Sequence, residues 1–131
     1  MVQLKNYADT DFFLALMKDS DWLKERAKKI YEKNKDNIWV TPFTVVEIMI
    51  ICKREEILLK ETIVQISRIA MLEGLSWEIF FKSIDLIENG ATIFDSLLMA
   101  FCKVDNQDKI ISSDNIYEKF GYDVIDLKKG E

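Results

Sequence analysis

The chain contains no histidine. That absence removes imidazole acid–base catalysis, Ser-His and Cys-His nucleophilic pairs and histidine-ligated zinc. Any chemistry must come from carboxylates, hydroxyls, lysines or hard metal ions held by oxygen. Cysteine is scarce: Cys52 and Cys102 are too few for a disulfide scaffold. Each sits in an apolar, helix-like stretch, where a free thiol packs as a small hydrophobe. One proline and four glycines leave little room for linkers or low-complexity tracts, and no internal repeat is visible. No apolar run approaches the roughly 20 residues needed to span a bilayer. The opening MVQLKNYADT has no basic region followed by an apolar run, so it does not read as a secretory signal. A cytoplasmic protein with no membrane association is expected. Positive charge is short as well, 18 Lys and Arg against 23 Asp and Glu, a net charge of −5. Such a chain does not attract nucleic acid by its overall field, so a nucleic-acid partner would require a local basic patch or metal ions.

What is present is a globular balance, 49 % apolar and 31 % charged over 131 residues. One domain over residues 1–128 is expected, with a polar tail at 129–131. Strand and helix patterns alternate. Residues 5–8 form a short, weak strand candidate, followed by helical patterns at 12–17 and 22–34. A brief strand at 38–40 ends at Thr41-Pro42 and leads into a helix over about 45–53. Leu59, Ile63, Ile66 and Ala70 make the next apolar stripe, ended by Gly74. Trp77, Phe80, Phe81, Ile84 and Ile87 make another, closed by Asn89-Gly90. Phe94, Leu97, Leu98, Phe101 and Val104 mark a further helix. Residues 109–112 read as a strand, 115–120 as a short helix ended by Gly121, and 123–127 as a last strand. Strands separated by helices pair in parallel through right-handed crossovers. The expected fold is α/β: three layers, with a central four- or five-stranded, mainly parallel sheet between helices.

Four acids fall in equivalent places. Asp9 closes the first strand, and Glu47 is expected in the first turn of the helix after the second. Asp95 begins the helix after Asn89-Gly90, and Asp114 follows the strand at 109–112. Taken singly, they read as capping residues. Thr44-Val45-Val46-Glu47 and Thr92-Ile93-Phe94-Asp95 have capping-box spacing, while Asp11 and Asp114 suit an N-cap. Taken together, they read differently. In an open α/β sheet the carboxyl ends of the strands gather along one edge, where sites form. Carboxylates crowded there repel one another, and a cation offsets that cost. Oxygen-only ligands suit Mg²⁺ or Mn²⁺. Such ions polarise phosphates and activate water, and phosphodiester hydrolysis is the reaction that fits.

The order of motifs resembles the PIN-domain ribonucleases, especially the small VapC-type toxins of toxin–antitoxin pairs. The matching pieces are Tyr7-Ala8-Asp9-Thr10-Asp11-Phe12-Phe13-Leu14-Ala15-Leu16, then Thr41-Pro42-Phe43-Thr44-Val45-Val46-Glu47. Next come Gly90-Ala91-Thr92-Ile93-Phe94-Asp95-Ser96-Leu97-Leu98 and Ile110-Ile111-Ser112-Ser113-Asp114, with Gly121-Tyr122-Asp123-Val124-Ile125 as the closing strand. The resemblance implies a parallel sheet between helices, metal-dependent endoribonuclease activity on an RNA substrate, an antitoxin protein as partner and a homodimer. It implies that Asp9, Glu47 and Asp95 carry the metal, that Asp114 is the fourth acid, and that Ser112 is the accompanying hydroxyl. The chain departs from the family in its short, polar first strand. It departs again at Asn115, where many members have a further acid, which bears on how a second metal is held.

Asp9 and Asp95 are therefore expected as main metal ligands, with Glu47 as ligand or orienter of the attacking water. Asp114 would hold a second metal, directly or through water. Ser112 would bond a ligand carboxylate or the phosphate, unless it is simply a strand-end hydroxyl. Thr10 reads as a backbone-capping hydroxyl and Asp11 as an N-cap. Lys24, Lys28, Lys29, Lys33 and Lys35 read first as a solvated helix face, with phosphate contact as the alternative. Lys53-Arg54 is a second basic candidate. Trp22, Trp39 and Trp77 read as core or interface residues rather than base-stacking platforms. The apolar stripes over 58–71 and 77–87 read chiefly as core, with a partner groove or dimer face as the alternative. Two other functions compete: a PIN-like interaction module without catalysis, and a receiver-type phosphoacceptor domain. The receiver requires a Lys at the end of a late strand, whereas Lys109 begins its strand and Ser112 ends it.

Overall fold

A computed structural model describes residues 4–129. Of the tail expected at 129–131, residues 130 and 131 lie outside the described residues. Among the described residues, five strands form one sheet: β1 (Asn6–Ala8), β2 (Ile38–Val40), β3 (Met71–Leu72), β4 (Lys109–Ser112) and β5 (Asp123–Asp126). Their order is β3-β2-β1-β4-β5, and every pair is parallel. The helices are α1 (Thr10–Met17), α2 (Lys24–Asn34), α3 (Pro42–Arg54), α4 (Leu59–Ile69), α5 (Trp77–Glu88), α6 (Ile93–Val104) and α7 (Ile116–Lys119).

Alternation along the strands sorts the core into two layers, because successive strand side chains point to opposite faces. Ala8, Ile38, Val40 and Ile111 face one way and pack with Phe12, Phe13, Ile30, Ile48, Cys52 and Ile66 of α1 to α4. Tyr7, Trp39 and Ile110 face the other way, against Ile79, Leu98, Phe101, Cys102 and Tyr117 of α5 to α7. Each fully buried Phe or Ile contributes roughly 1.5–3 kcal/mol of transfer free energy. Helix α6 is buried from Ser96 to Cys102 on nearly every side. Its sequence there, Ser96-Leu97-Leu98-Met99-Ala100-Phe101-Cys102, is almost wholly apolar, as an all-round buried helix requires. Both cysteines are buried and free, as expected from their surroundings.

Helix stops follow from backbone chemistry. After α5, the Gly90 N–H reaches Ile87 O at 3.0 Å and the Ala91 N–H reaches Leu86 O at 3.1 Å. After α7, the Gly121 N–H reaches Glu118 O at 3.0 Å and the Tyr122 N–H reaches Tyr117 O at 3.1 Å. Both are Schellman closures with glycine at positive φ, where no Cβ penalty arises. The same pairing ends α6 with Asn106 in the left-handed position.

Three local expectations are corrected. Helix α3 begins at Pro42, with Thr41 as N-cap and its hydroxyl accepting from Thr44 N at 3.1 Å. Pro42 at the first helical position needs no N–H partner. Glu47 therefore lies in the second turn, and the Thr44–Glu47 spacing is not a capping box. Helix α4 ends at Ile69 rather than near Gly74. The chain extends there because Met71 and Leu72 pair with Trp39 and Val40, adding an edge strand the periodicity did not reveal. Trp22 and Trp77 are 74 % and 77 % exposed, so neither is a core residue. Trp39 is buried, with Lys5 Nζ 4.1 Å from its ring centroid.

The topology positions the site. From β1 the chain winds through β2 to β3 in one direction, then crosses back to place β4 on the other side of β1. The strand order reverses between β1 and β4, and a crevice opens beyond their carboxyl ends.

Candidate active site

Asp9 stands at that reversal. Its N–H still belongs to the sheet, donating to Ile111 O at 2.9 Å. Its side chain already belongs to α1 as N-cap, with Oδ1 accepting from Thr10 N at 2.7 Å. Oδ2 accepts from the Ser112 hydroxyl at 3.2 Å and from the Tyr117 hydroxyl at 2.8 Å. Burial pushes the Asp9 carboxyl up to about 7, and the neighbouring Asp11 and Asp95 charges add to the shift. Hydrogen bonds from Tyr117 and Thr10 act in the opposite sense without cancelling it.

Asp95 arrives from the opposite layer. It is the third residue of α6, with its N–H 3.4 Å from the hydroxyl of the N-cap Thr92. One half of the expected capping box is thus present. The Asp95 carboxylate turns to the Tyr117 hydroxyl, 3.1 Å from Oδ1. Glu47 accepts from the Thr10 hydroxyl, so Thr10 ties α1 to α3. Asp11 is the second residue of α1 and not its N-cap, a role Asp9 holds. Asp11 accepts from the Ser113 N–H at 2.8 Å and from the Ser113 hydroxyl. Its other oxygen, Oδ1, is buried with no hydrogen-bond partner among the described residues. Burial raises the Asp11 carboxyl above its ordinary value. Asp114 accepts from Ile116 N at 3.0 Å in the turn before α7. Ser112, fully buried at the end of β4, also accepts from Asp114 N at 3.0 Å.

All four sequence-predicted acids therefore line one cleft of about 660 Å³, joined by Asp11. Ser112 lies beneath its floor. The rim carries Lys119 and Lys128, exposed and without ion-pair partners among the described residues. The α2 lysines and Lys53-Arg54 do not line it. Lys24 instead donates to Leu16 O at 2.9 Å, while Lys28 and Lys35 pair with Glu25 and Glu32. Sequence reasoning did not single out Tyr117. No local signal marks its hydroxyl, because its partners come from β1 and α6.

Among the described residues, no three acidic side chains stand grouped around one point as a formed metal site. The carboxylates are bonded instead to Thr10, Ser112, Ser113 and Tyr117. The residues nonetheless fit a hard divalent ion. The donor set is all oxygen. Five carboxylates share one cleft with only two amines at its edge. Asp11 keeps an orphaned buried oxygen, and Asp9 carries repulsion that a cation would relieve.

A family model described as PIN domain matches residues 7–121. The chain belongs to the PIN-domain family. PIN domains generally use divalent metal ions. Its fold is similar to that of VapC20 from Mycobacterium tuberculosis, described as a sarcin-ricin loop cleaving toxin. That match has a TM-score of 0.76 at 12 % identity and covers 91 % of this chain and 97 % of the other. A toxin–antitoxin complex from Klebsiella pneumoniae matches with a TM-score of 0.74 at 16 % identity, over 94 % and 98 % of the two chains. DNA-bound VapBC from Salmonella typhimurium matches with a TM-score of 0.73 at 10 % identity, over 95 % and 99 %. Comparison with curated proteins returns no match. No described helix is long and apolar enough to cross a membrane.

Proposed function

We propose that this PIN domain is a metal-dependent endoribonuclease, the toxin of a toxin–antitoxin pair, with Asp9, Glu47, Asp95 and Asp114 as ligands for Mg²⁺ or Mn²⁺. The observation that carries the reading is the convergence of Asp9 and Asp95, from different layers, on a single hydroxyl oxygen. Carboxylates that close can share one ion. When bound, the ion would polarise a phosphate oxygen and lower the pKa of a water.

The chain's own residues do the positioning. Thr10 N and Ser112 Oγ fix the Asp9 carboxylate from two sides. The Thr10 hydroxyl holds Glu47 toward the cleft, where it orients the attacking water. Lys119 and Lys128 supply the local positive charge that the net charge of −5 denies elsewhere, and bind RNA phosphates at the rim. Lys119→Ala and Lys128→Ala are expected to raise KM severalfold and flatten its salt dependence, with kcat little changed. Steady-state cleavage at several salt concentrations reads this.

An antitoxin protein and a second copy of the chain are the expected partners. Similar folds were solved as toxin–antitoxin complexes. Apolar side chains remain exposed on α3 and α4 (Val46, Met49, Ile50, Leu59) and on α5 (Trp77, Phe81, Ile84). The function is tested by incubating a panel of RNAs with the protein and Mg²⁺ or Mn²⁺. Cleavage that stops with EDTA and returns with added metal is expected. Cleavage indifferent to EDTA would overturn the metal assignment.

A further inference from the structure

The Tyr117 hydroxyl bridges the carboxylates of two predicted ligands, lying 2.8 Å from Asp9 Oδ2 and 3.1 Å from Asp95 Oδ1. A phenol has one proton to give. It can donate to one carboxylate fully, or share its proton between the two. It therefore acts as a clasp between an acid at the end of β1 and an acid at the start of α6.

The clasp is held rigidly. The Tyr117 ring is fully buried in the layer that contains Leu98, Phe101 and Ile110. Its backbone carbonyl accepts from Phe120 N at 3.2 Å and Tyr122 N at 3.1 Å in the glycine-closed stop of α7. The hydroxyl cannot follow a carboxylate that swings away, so a carboxylate that keeps the bond must stay. Nothing else within the described residues bonds Asp95 Oδ1. Asp9 Oδ2 has only Ser112 besides, at the longer distance of 3.2 Å.

The geometry points to Tyr117 as a positioning residue that sets the separation and orientation of Asp9 and Asp95 and thereby the affinity of the cleft for a divalent cation. This rests on the metal-dependent reading above. Partners that orient metal ligands typically change affinity by about 10- to 100-fold when removed. Without the hydroxyl, Asp95 Oδ1 has no donor among the described residues, and Asp9 keeps Thr10 N and Ser112 Oγ but nothing that ties it to Asp95 before the ion arrives.

The test is Mn²⁺ titration followed by the electron paramagnetic resonance of free Mn²⁺, on the full chain and without RNA. Tyr117→Phe keeps the ring and its packing, and Tyr117→Met gives a second side chain lacking the hydroxyl. Tyr122→Phe is the control, since its hydroxyl donates to Met99 O at 3.0 Å in the same layer, away from the acids. The expected result is about tenfold or more weaker Mn²⁺ binding in the Tyr117 variants, with Tyr122→Phe within about twofold of wild type. A purely structural tyrosine would shift the melting temperature of both sites' variants and leave Mn²⁺ affinity alone. Unchanged or tighter binding in either folded Tyr117 variant overturns the inference while leaving the metal site standing. Wild-type protein that takes up no Mn²⁺ overturns both together.

Discussion

Asp9→Asn and Asp95→Asn are each expected to lower kcat/KM for RNA by about a thousandfold, roughly 4 kcal/mol of transition-state stabilisation. Asparagine preserves the size of the side chain. Its amide oxygen still accepts from Thr10 N at position 9, or from Tyr117 at position 95. What disappears is the charge that a divalent ion needs. The fold persists, and at neutral pH Asp9→Asn is expected to melt higher than wild type in EDTA. It removes an acid that sits beside Asp11 and Asp95 and is disfavoured in its charged form by burial. Activity lost while stability is gained is the signature of a residue kept for chemistry. Thermal melts alongside single-turnover cleavage check both halves. Near-wild-type cleavage by either variant removes these acids from the mechanism.

Metal-free protein is expected to lose stability as pH rises from about 4 to about 7, by on the order of 2–4 kcal/mol. The sign follows from Asp9, whose carboxyl is raised to about 7 in the fold from an ordinary value near 3.8. Within that window the folded state binds more protons than the unfolded chain. Stability therefore falls as pH climbs through it. Asp11, also raised by burial, acts in the same direction. Glu55 and Glu73 are lowered, so their contribution is complete above their ordinary value of 4.5 and is lost as pH falls through and below it, opposing the trend only at the acid end of this window. Millimolar Mg²⁺ or Mn²⁺ should restore stability at pH 7 to 8, because an ion bound only by the fold stabilises it by mass action. Urea denaturation at pH 5 and pH 8, with EDTA or with metal, reads the difference. Equal or greater metal-free stability at pH 8 would contradict the raised carboxyls.

Much of this was legible in the chain, because alternating short strands and helices leave few parallel topologies, and because an acid at a strand end or helix start points to one edge. Asp9, Glu47, Asp95 and Asp114 were visible in this way, as was Ser112 two residues ahead of Asp114. What stayed hidden depended on contacts distant in sequence. The edge strand Met71–Leu72 is two exposed residues that become a strand only by pairing with Trp39 and Val40. Asp11 looked like an N-cap because Asp, Thr and Asp follow one another, and only the fold shows that Asp9 caps while Asp11 turns to Ser113. Tyr117 shared its pattern with core aromatics. The apolar face of α5 fitted a core stripe, yet Trp77, Phe81 and Ile84 point outward. Periodicity identifies an apolar face without saying what covers it.

We propose that side chains from β1, α3, α6 and the β4–α7 turn converge to hold a divalent ion. Anomalous diffraction from crystals grown with Mn²⁺ tests it most directly. A peak in the cleft is expected, with oxygens of Asp9 and Asp95 both within about 2.0–2.3 Å of the ion or one water removed from it. Ordered crystals saturated with Mn²⁺ that show no peak there, or a peak reached by neither Asp9 nor Asp95, would contradict it.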